Sequence, residues 1–413
     1  MNLNKDNKYP EIRFKGFTED WEQRKLGELS TDFEYGLNAS ATSYDGINKY
    51  IRITDISEGN RLFNQSNLTS PDIDFINADN YLLKKGDILF ARTGASVGKS
   101  YRYQESDGKV YYAGFLIRAR INTNYDTEFI FQTTLTNKYE KFVEVTSQRS
   151  GQPGINAKEY ANFKLNIPKL QEQKMIGSFF KQLDNTIALH QCKLDKLKSL
   201  KKAYLQVLFP EKDQETPYMS FAKVKGTWEQ RKLSEVADII GGGTPSTINP
   251  DYWNGNIDWY SPVEIGDQIY LNDSIKKITE LGLKKSSAKI LPVGSILFTS
   301  RAGIGNTAIL AKEAATNQGF QSIVPHKNKL NSYFIYSRTN ELKRYGEITG
   351  AGSTFVEVSG KQMAKMLIRM PSIEEQCKIG NFFKQFDRII SFQQQKLNKF
   401  KELKKAYLNK MFV

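Results

Sequence analysis

Hydrophobic residues recur at alternating spacings of four and three over two long stretches of the chain. In residues 171–209 this spacing places one apolar stripe along a single helix face. The stripe consists of Ile176, Phe180, Leu183, Ile187, His190, Leu194, Leu197, Lys201, Tyr204 and Leu208. Adding 203 to each number gives a second stripe, which ends at Met411. The pattern predicts a duplicated coiled-coil helix.

The length of these helices indicates what they pack against. A helix of this size is a rod on the order of 50 Å long, more than one small domain can cover, so we expect the two copies to pair. Two stripe positions are polar in both copies, His190 with Gln393 and Lys201 with Lys404. If polar layers meet in an antiparallel pair, His190 faces Lys404 and Lys201 faces Gln393.

Further apolar residues flank both stripes. Together they make a stripe wider than a two-helix seam needs, so we expect helices of another chain to cover the excess. The predicted partner-binding residues are Phe179, Leu200, Leu205, Phe382, Leu403 and Leu408.

The duplication extends over nearly the whole chain. Trp21–Leu26 recurs as Trp228–Leu233, and Gly86–Phe90 has its counterpart in Gly294–Phe298. We infer two tandem units, each with a short arm, a globular domain and a long helix. The predicted segments are 1–169 (arm and first globular domain), 170–209 (central helix), 210–372 (second arm and globular domain) and 373–413 (C-terminal helix).

The globular parts mix strand and helix signals, which predicts an α+β fold with long loops. Strands are expected at 50–55, 88–91, 257–260 and 296–299, and helices at 129–137 and 333–344. The segment 38–47 shows no resemblance to 244–254. A duplicated scaffold with two divergent heads indicates two related but different recognition tasks.

The composition adds a charge argument. The 413 residues include 59 Lys and Arg against 45 Asp and Glu, a net charge of +14, which favours an acidic partner such as nucleic acid. With only two histidines, a zinc site and His-based nucleophilic catalysis are disfavoured. No apolar run approaches the roughly 18 residues of a membrane span, and the first residues resemble no secretory signal, so we expect a cytoplasmic protein.

Three parts of the chain resemble catalytic motifs but depart from the patterns that those motifs require. Gly94–Ser100 resembles a phosphate loop but has three residues between its glycines where four are needed. Asn249–Tyr252 resembles an amino-methyltransferase signature, with Asp251 in place of its second proline. Asp72 and Asp107 could belong to a metal-nuclease pattern, yet the second unit does not repeat them. We therefore expect a chain that is not an enzyme.

The ends of two strands carry residues suited to DNA. Glycines after Arg92 and Arg301 allow the backbone to approach a phosphate, and an arginine there can reach a guanine edge. The alternative for each residue is a structural turn or a solvated side chain. The candidate DNA-binding residues are Arg52, Arg92, Thr93, Lys99, Arg102, Arg149 and Gln152 in the first unit, and Ser300, Arg301, Asn306, Gln318, Gln321 and Ser353 in the second.

The repeated architecture resembles the specificity subunit of type I restriction-modification systems. Recurrent segments of that family are similar to Pro168–Gln173 and Pro371–Gln376, to the two Trp-Glu-Gln-Arg-Lys-Leu segments, and to Asn317–Phe320. The resemblance implies two α+β target-recognition domains separated by two long antiparallel coiled-coil helices, with an internal tandem repeat and pseudo-twofold symmetry. Each domain would read one half of a bipartite, asymmetric DNA site, and the helices would set the spacer.

The resemblance also implies partners. These are double-stranded DNA, two methyltransferase subunits docked on the helices, and restriction or translocase subunits. S-adenosylmethionine, ATP and Mg²⁺ are expected in those partners, with no cofactor and no metal in this chain. Two rival classes remain open. A self-contained methyltransferase or nuclease needs an intact cofactor or metal motif, and a structural coiled-coil or non-specific DNA-binding scaffold would show no sequence preference.

Overall fold

The computed structural model describes residues 9–148, 151–211, 214–221, 227–301, 303–351 and 357–413. The chain divides into two compact units, one formed by Met1–Lys193 with Gln393–Val413 and the other by Leu194–Phe392. Each unit contains one globular head and a part of both long helices.

The first head combines short strands with three short helices. Its strands are β1 (Glu22–Lys25), β2 (Ser30–Tyr35), β3 (Ala41–Ser43), β4 (Lys49–Ile51), β5 (Thr69–Pro71), β6 (Asp87–Ala91), β7 (Ser100–Arg102), β8 (Val110–Tyr112), β9 (Leu116–Ile121) and β10 (Lys164–Ile167). Its helices are α1 (Thr127–Thr133), α2 (Asn137–Thr146) and α3 (Ala157–Ala161), and the long helix α4 (Leu170–Leu208) follows. The main sheet is antiparallel in the order β2-β9-β6-β7, while β4 pairs with β8 in parallel.

The second head repeats this plan. Its strands are β11 (Glu229–Lys232), β12 (Ala237–Gly241), β13 (Trp253–Tyr260), β14 (Tyr270–Leu271), β15 (Lys276–Ile278), β16 (Ile296–Phe298), β17 (Thr307–Leu310), β18 (Ala315–Thr316), β19 (Gln321–Pro325) and β20 (Leu367–Met370). Its helices are α5 (Leu233–Val236), α6 (Glu280–Lys284), α7 (Ser332–Ser337), α8 (Thr339–Gly350) and α9 (Gly360–Ala364), and the long helix α10 (Ile373–Met411) ends the chain. The main sheet has the order β12-β19-β16-β17-β14, and β13 pairs with β18 in parallel.

The long helices pair inside each unit, as the duplicated stripe predicts, and they run antiparallel, as the resemblance implies. In the first unit Lys404 Nζ lies 2.6 Å from Asp184, and Tyr407 packs edge-on against Phe179 at 5.1 Å. These contacts run in opposite chain directions, which makes the pair antiparallel. In the second unit Lys201 Nζ lies 2.6 Å from Asp387. The same ion pair thus occurs twice, with both numbers shifted by 203.

The expected register of the polar layers is wrong. Each stripe lysine pairs with an aspartate, and Gln393 Nε2 donates to the backbone carbonyl of His190 at 3.0 Å. A lysine gains more from a carboxylate than from a neutral imidazole or amide, because the ion pair offsets its desolvation. The His190 ring stacks on Phe400 at 5.0 Å.

The Glu-Gln pair at the start of each long helix joins three parts of its unit. In the first unit Glu172 accepts two hydrogen bonds from Arg13 of the arm, at 2.7 and 2.8 Å, and Gln173 accepts one from the backbone N–H of Asp126 at 3.0 Å. Asp126 is the N-cap of α1. A Cβ on Gly177 would lie 2.3 Å from Asp126 Oδ1, so the glycine permits this close approach.

The second unit builds the same junction from equivalent residues. Ser220 of its arm donates to Glu375, and Gln376 accepts a hydrogen bond from the backbone N–H of Asn331 at 3.0 Å. Asn331 is the N-cap of α7. A Cβ on Gly380 would lie 2.5 Å from Asn331 Oδ1. The repeated Glu-Gln motif is therefore a structural clamp of arm, head and long helix.

An aromatic residue just beyond each long helix completes a head core. Phe412 stacks on Phe129 with ring centroids 5.2 Å apart, and it also contacts Trp21 and Phe180. In the second unit Phe209 contacts three equivalent rings, those of Trp228, Phe334 and Phe383.

Three element predictions need correction. The expected strand at 50–55 ends at Ile51, because the Asp55 carboxylate accepts the backbone N–H of Arg52 at 2.9 Å and turns 53–55 into a 3-10 helix. The expected helix 129–137 covers parts of two helices, α1 and α2, and Thr136 caps α2 by accepting from the Tyr139 N–H. The expected helix 333–344 is likewise divided into α7 and α8, at Arg338. Within the described residues, no helix combines the length and hydrophobicity that crossing a membrane requires.

Candidate nucleic-acid interface

Three strands of the first head end at one cleft of about 680 Å³. Tyr35 is the last residue of β2, Arg52 follows β4, and Arg92 follows β6. All three side chains line the cleft together with Phe115, which is largely exposed. The cleft thus places two cations beside two aromatic rings at the ends of these strands, a combination that suits phosphates and base edges.

The Arg52 guanidinium is held by one carboxylate. Its Nε donates to Asp55 Oδ2 at 2.9 Å and its Nη2 donates to Asp55 Oδ1 at 3.1 Å. These hydrogen bonds raise the pKa of Arg52 above its usual value, with a further contribution from the Asp55 charge. The Arg52 side chain is 39% exposed. It therefore stays charged and fixed in direction while it faces the cleft.

Arg92 is positioned by an aromatic ring. Its guanidinium carbon lies 4.9 Å from the centroid of the Tyr35 ring, and Nη1 donates a long hydrogen bond of 3.4 Å to the Gly114 carbonyl. The Tyr35 hydroxyl in turn accepts from the Ala157 N–H at 3.2 Å. Cation–π contact with the ring orients Arg92 without consuming its hydrogen-bond donors.

In the second head, the backbone around the positions equivalent to Tyr35, Arg52 and Arg92 has the same arrangement, which we call the frame. Gly241 pairs with Gln321 as Tyr35 pairs with Ile117. Ser261 follows β13 and begins a 3-10 helix whose carboxylate, Glu264, accepts the Ser261 N–H at 2.9 Å, as Asp55 does for Arg52. The backbone hydrogen bonds of Ser300 likewise repeat those of Arg92.

The side chains on this second frame differ from those of the first. Ser300 is fully buried, and its hydroxyl has no hydrogen-bond partner among the residues that the structure describes. Arg301, one residue further, is 48% exposed and its Nε lies 2.9 Å from Glu357 Oε1. Gln318 is exposed and accepts a hydrogen bond from Thr244 Oγ1 at 2.5 Å. Relative to Arg92 of the first head, the arginine of the second head thus lies one position further along the chain.

Two candidate cations of the first head lie away from the cleft. Lys99 is buried, donates to the Ile56 carbonyl at 3.4 Å and forms an ion pair with Glu58. Arg102 lies 2.8 Å from Glu128. Burial raises the pKa of Glu128, while the Arg102 charge lowers it.

The other candidates are spread over both heads. Thr93 forms an isolated backbone bridge with Gly154, Gln152 and Asn306 are exposed, and Gln321 is half-buried. Arg149 and Ser353 lie outside the described residues. Sequence reasoning missed Tyr35 and Phe115, which line the first cleft, and also the two carboxylates that hold arginines, Asp55 and Glu357.

A family model described as "Type I restriction modification DNA specificity domain" matches residues 18–199 and 225–402. The two matches coincide with the two repeats and together cover most of the chain. The chain belongs to this family. It therefore carries two specificity domains in tandem, each with its own head and long helix.

Relatives within the family agree with this assignment. The MjaX subunit of Methanocaldococcus jannaschii, named a putative type I restriction enzyme specificity subunit, is 24% identical over 98% of this chain and 96% of its own length. The MjaIX specificity subunit of the same organism is 37% identical over 41% of this chain, and that match spans only 40% of the relative. A solved structure of the S subunit from M. genitalium shares the fold, with a TM-score of 0.67 and 13% identity over 98% of this chain and 99% of that one.

The family's long helices carry the residues predicted to bind partner subunits, and the structure divides these residues into two groups. Phe179 packs against Phe14 of the first arm, and Phe382 packs against Phe221 of the second. Leu205 is half-buried and Leu408 is buried in the core of the first unit. Leu200 and Leu403, at 46% and 41% exposure, remain open on the helix surfaces.

Proposed function

We propose that this specificity-domain protein reads DNA sequence for a type I restriction-modification complex, with each head contacting one half of a bipartite, asymmetric duplex site. The observation that carries the proposal is the repeated frame of strand ends: each head has an exposed, carboxylate-paired arginine beyond such an end, Arg52 after β4 in the first head and Arg301 after β16 in the second. The net charge of +14 supports a nucleic acid as the partner.

The two heads read different bases. Equivalent positions of the two frames carry Tyr35 against Gly241, Arg52 against Ser261 and Arg92 against Ser300. Side chains that differ in charge, size and donor pattern recognise different base edges. Two unlike heads on one chain make the site asymmetric.

The long helices set the distance between the two half-sites. Each helix is 39 residues long and continues from one unit into the other. A continuous helix transmits a length of about 1.5 Å per residue, which makes the number of residues a measure of the gap.

The chain is a non-catalytic, cytoplasmic reader that works through partner subunits. Two methyltransferase subunits bind the long helices, and S-adenosylmethionine, ATP and Mg²⁺ belong to these subunits and to the restriction or translocase subunits. The exposed Leu200 and Leu403, equivalent positions on the two helices, support a surface for a partner of this kind.

The experiment is selection of bound sequences from a randomised duplex library by the full chain together with its methyltransferase subunits. The proposal predicts two short motifs separated by a gap of constant length, and an affinity that falls steeply with salt because phosphate contacts release counterions. The rival scaffold function predicts salt-dependent binding with no enriched motif. Methylation of DNA by the chain alone would favour the self-contained enzyme.

A further inference from the structure

In each head, an exposed arginine beyond a strand end is held by a carboxylate through one edge of its guanidinium group. In the first head Asp55 takes the Nε and Nη2 hydrogens of Arg52. In the second head Glu357 lies 2.9 Å from Nε of Arg301. A guanidinium carries five donors in a planar fork, so an acid on the Nε side leaves the outer Nη1–Nη2 edge free.

The outer edge is the one that fits guanine. Two parallel N–H donors match the O6 and N7 acceptors that guanine presents in the major groove. A carboxylate behind the guanidinium fixes its plane before DNA arrives, so that less rotamer entropy is lost on binding.

Other paired arginines of the chain are placed differently. Arg118 is 2% exposed and divides its donors among Asp32, Glu34 and the Asn80 carbonyl. Arg120 is 27% exposed and gives two donors to Asp87, which is fully buried. These pairs hold the sheet together. Arg52 and Arg301 instead lie beside the ends of the strands that frame the two heads.

We propose that Arg52 and Arg301 are the guanine-reading residues of the first and second half-site, and that Asp55 and Glu357 are the positioning residues that aim them. This assignment rests on the proposed function, since it names the base that each head recognises. Arg92, oriented by Tyr35 in the same cleft as Arg52, supplies a second cation to the first half-site. The chain thus requires one G·C pair in each half of its site.

The test compares base preferences at every position of the selected site for the full chain with its methyltransferase subunits. Arg52→Lys keeps the positive charge but removes the fork. We expect it to lower the preference for one G·C pair by about 10- to 100-fold, in one half-site only. Arg301→Lys should do the same in the other half-site. Asp55→Asn should weaken the same base preference as Arg52→Lys does. Asp55→Glu, which keeps a carboxylate, should weaken that preference less.

A matched control is Arg24→Lys. Arg24 has a similar exposure of 42% and is paired with Glu22, but it lies on β1 and does not line the cleft. It should leave every base preference unchanged. Retention of the second half-site by the Arg52 variant shows that the protein is folded.

The outcomes distinguish a failure of the arginine assignment from a failure of the proposed function. If the unmodified protein selects a two-part motif and Arg52→Lys and Arg301→Lys leave all preferences intact, the assignment of these residues is wrong and the proposed function stands. A uniform loss at all positions identifies phosphate contacts and also overturns the assignment. Absence of any motif with the unmodified protein overturns both.

Discussion

Lys201 and Asp387 form a 2.6 Å ion pair in which the aspartate is only 8% exposed, whereas the equivalent aspartate of the first unit, Asp184, is 35% exposed. Asp387 also accepts a hydrogen bond from the Tyr333 hydroxyl at 2.8 Å. The carboxylate of the pair is therefore more shielded from water in the second unit than in the first.

Replacing the lysine of each pair should reveal the effect of this difference in aspartate burial. Lys201→Met leaves a buried carboxylate without its cation and is expected to cost about 2–4 kcal/mol of local stability. Lys404→Met should cost about 1 kcal/mol or less, because water solvates Asp184. Native-state hydrogen exchange of the helix segments measures both values. Equal costs in the two units would show that burial does not control the strength of the pair.

Phe412 should be required for the stability of the first unit although it lies at the opposite end of the chain from that head. Phe412→Ala removes three aromatic contacts and is expected to destabilise the first head by roughly 2–4 kcal/mol. Protection against hydrogen exchange should fall in α1 and stay unchanged in α7. Phe209→Ala is the matched variant and should give the reverse pattern. An effect of Phe412→Ala on both heads alike would contradict the local role of this ring.

Gly177 should resist the substitution that normally stabilises a helix. Gly→Ala inside a helix usually gains up to about 1 kcal/mol, yet a Cβ here would collide with Asp126 Oδ1 and approach the Phe129 N–H at 3.1 Å. We expect a loss of about 1–3 kcal/mol instead. Ser178→Ala, at the exposed neighbouring position, serves as control and should be neutral or stabilising. Thermal unfolding of both variants decides the sign.

The proposed docking surface depends on exposed leucines. Leu200→Glu and Leu403→Glu together should weaken assembly with the methyltransferase subunits by about tenfold or more, since each places a charge in an apolar contact. Gln206→Glu introduces the same charge at another exposed position of α4 and should leave assembly intact. Sedimentation of mixtures at several concentrations measures the change. Unaltered assembly by the double variant would place the partner elsewhere.

The long helices could be predicted from the sequence because their apolar spacing is regular over 39 residues and occurs twice. The Glu-Gln motif was visible too, but its role as a clamp was not, because Arg13 and Asp126 meet it only in the fold.

The candidate interface was less accessible to sequence reasoning. Arg52 and Asp55 are three residues apart, so their pairing could have been noticed in the sequence. Glu357 lies 56 positions after Arg301, and only the fold brings it there. The burial of Lys99 depends in the same way on Glu58, which approaches from another loop.

The most direct measurement is the length of the gap between the two half-sites after both long helices have been lengthened equally. Seven residues inserted between Lys193 and Leu194, and seven between Phe392 and Gln393, preserve the stripe and add about 10 Å, or roughly three base pairs. The account predicts unchanged half-sites separated by a gap about three base pairs longer. Selection of the original gap by the lengthened protein would contradict it.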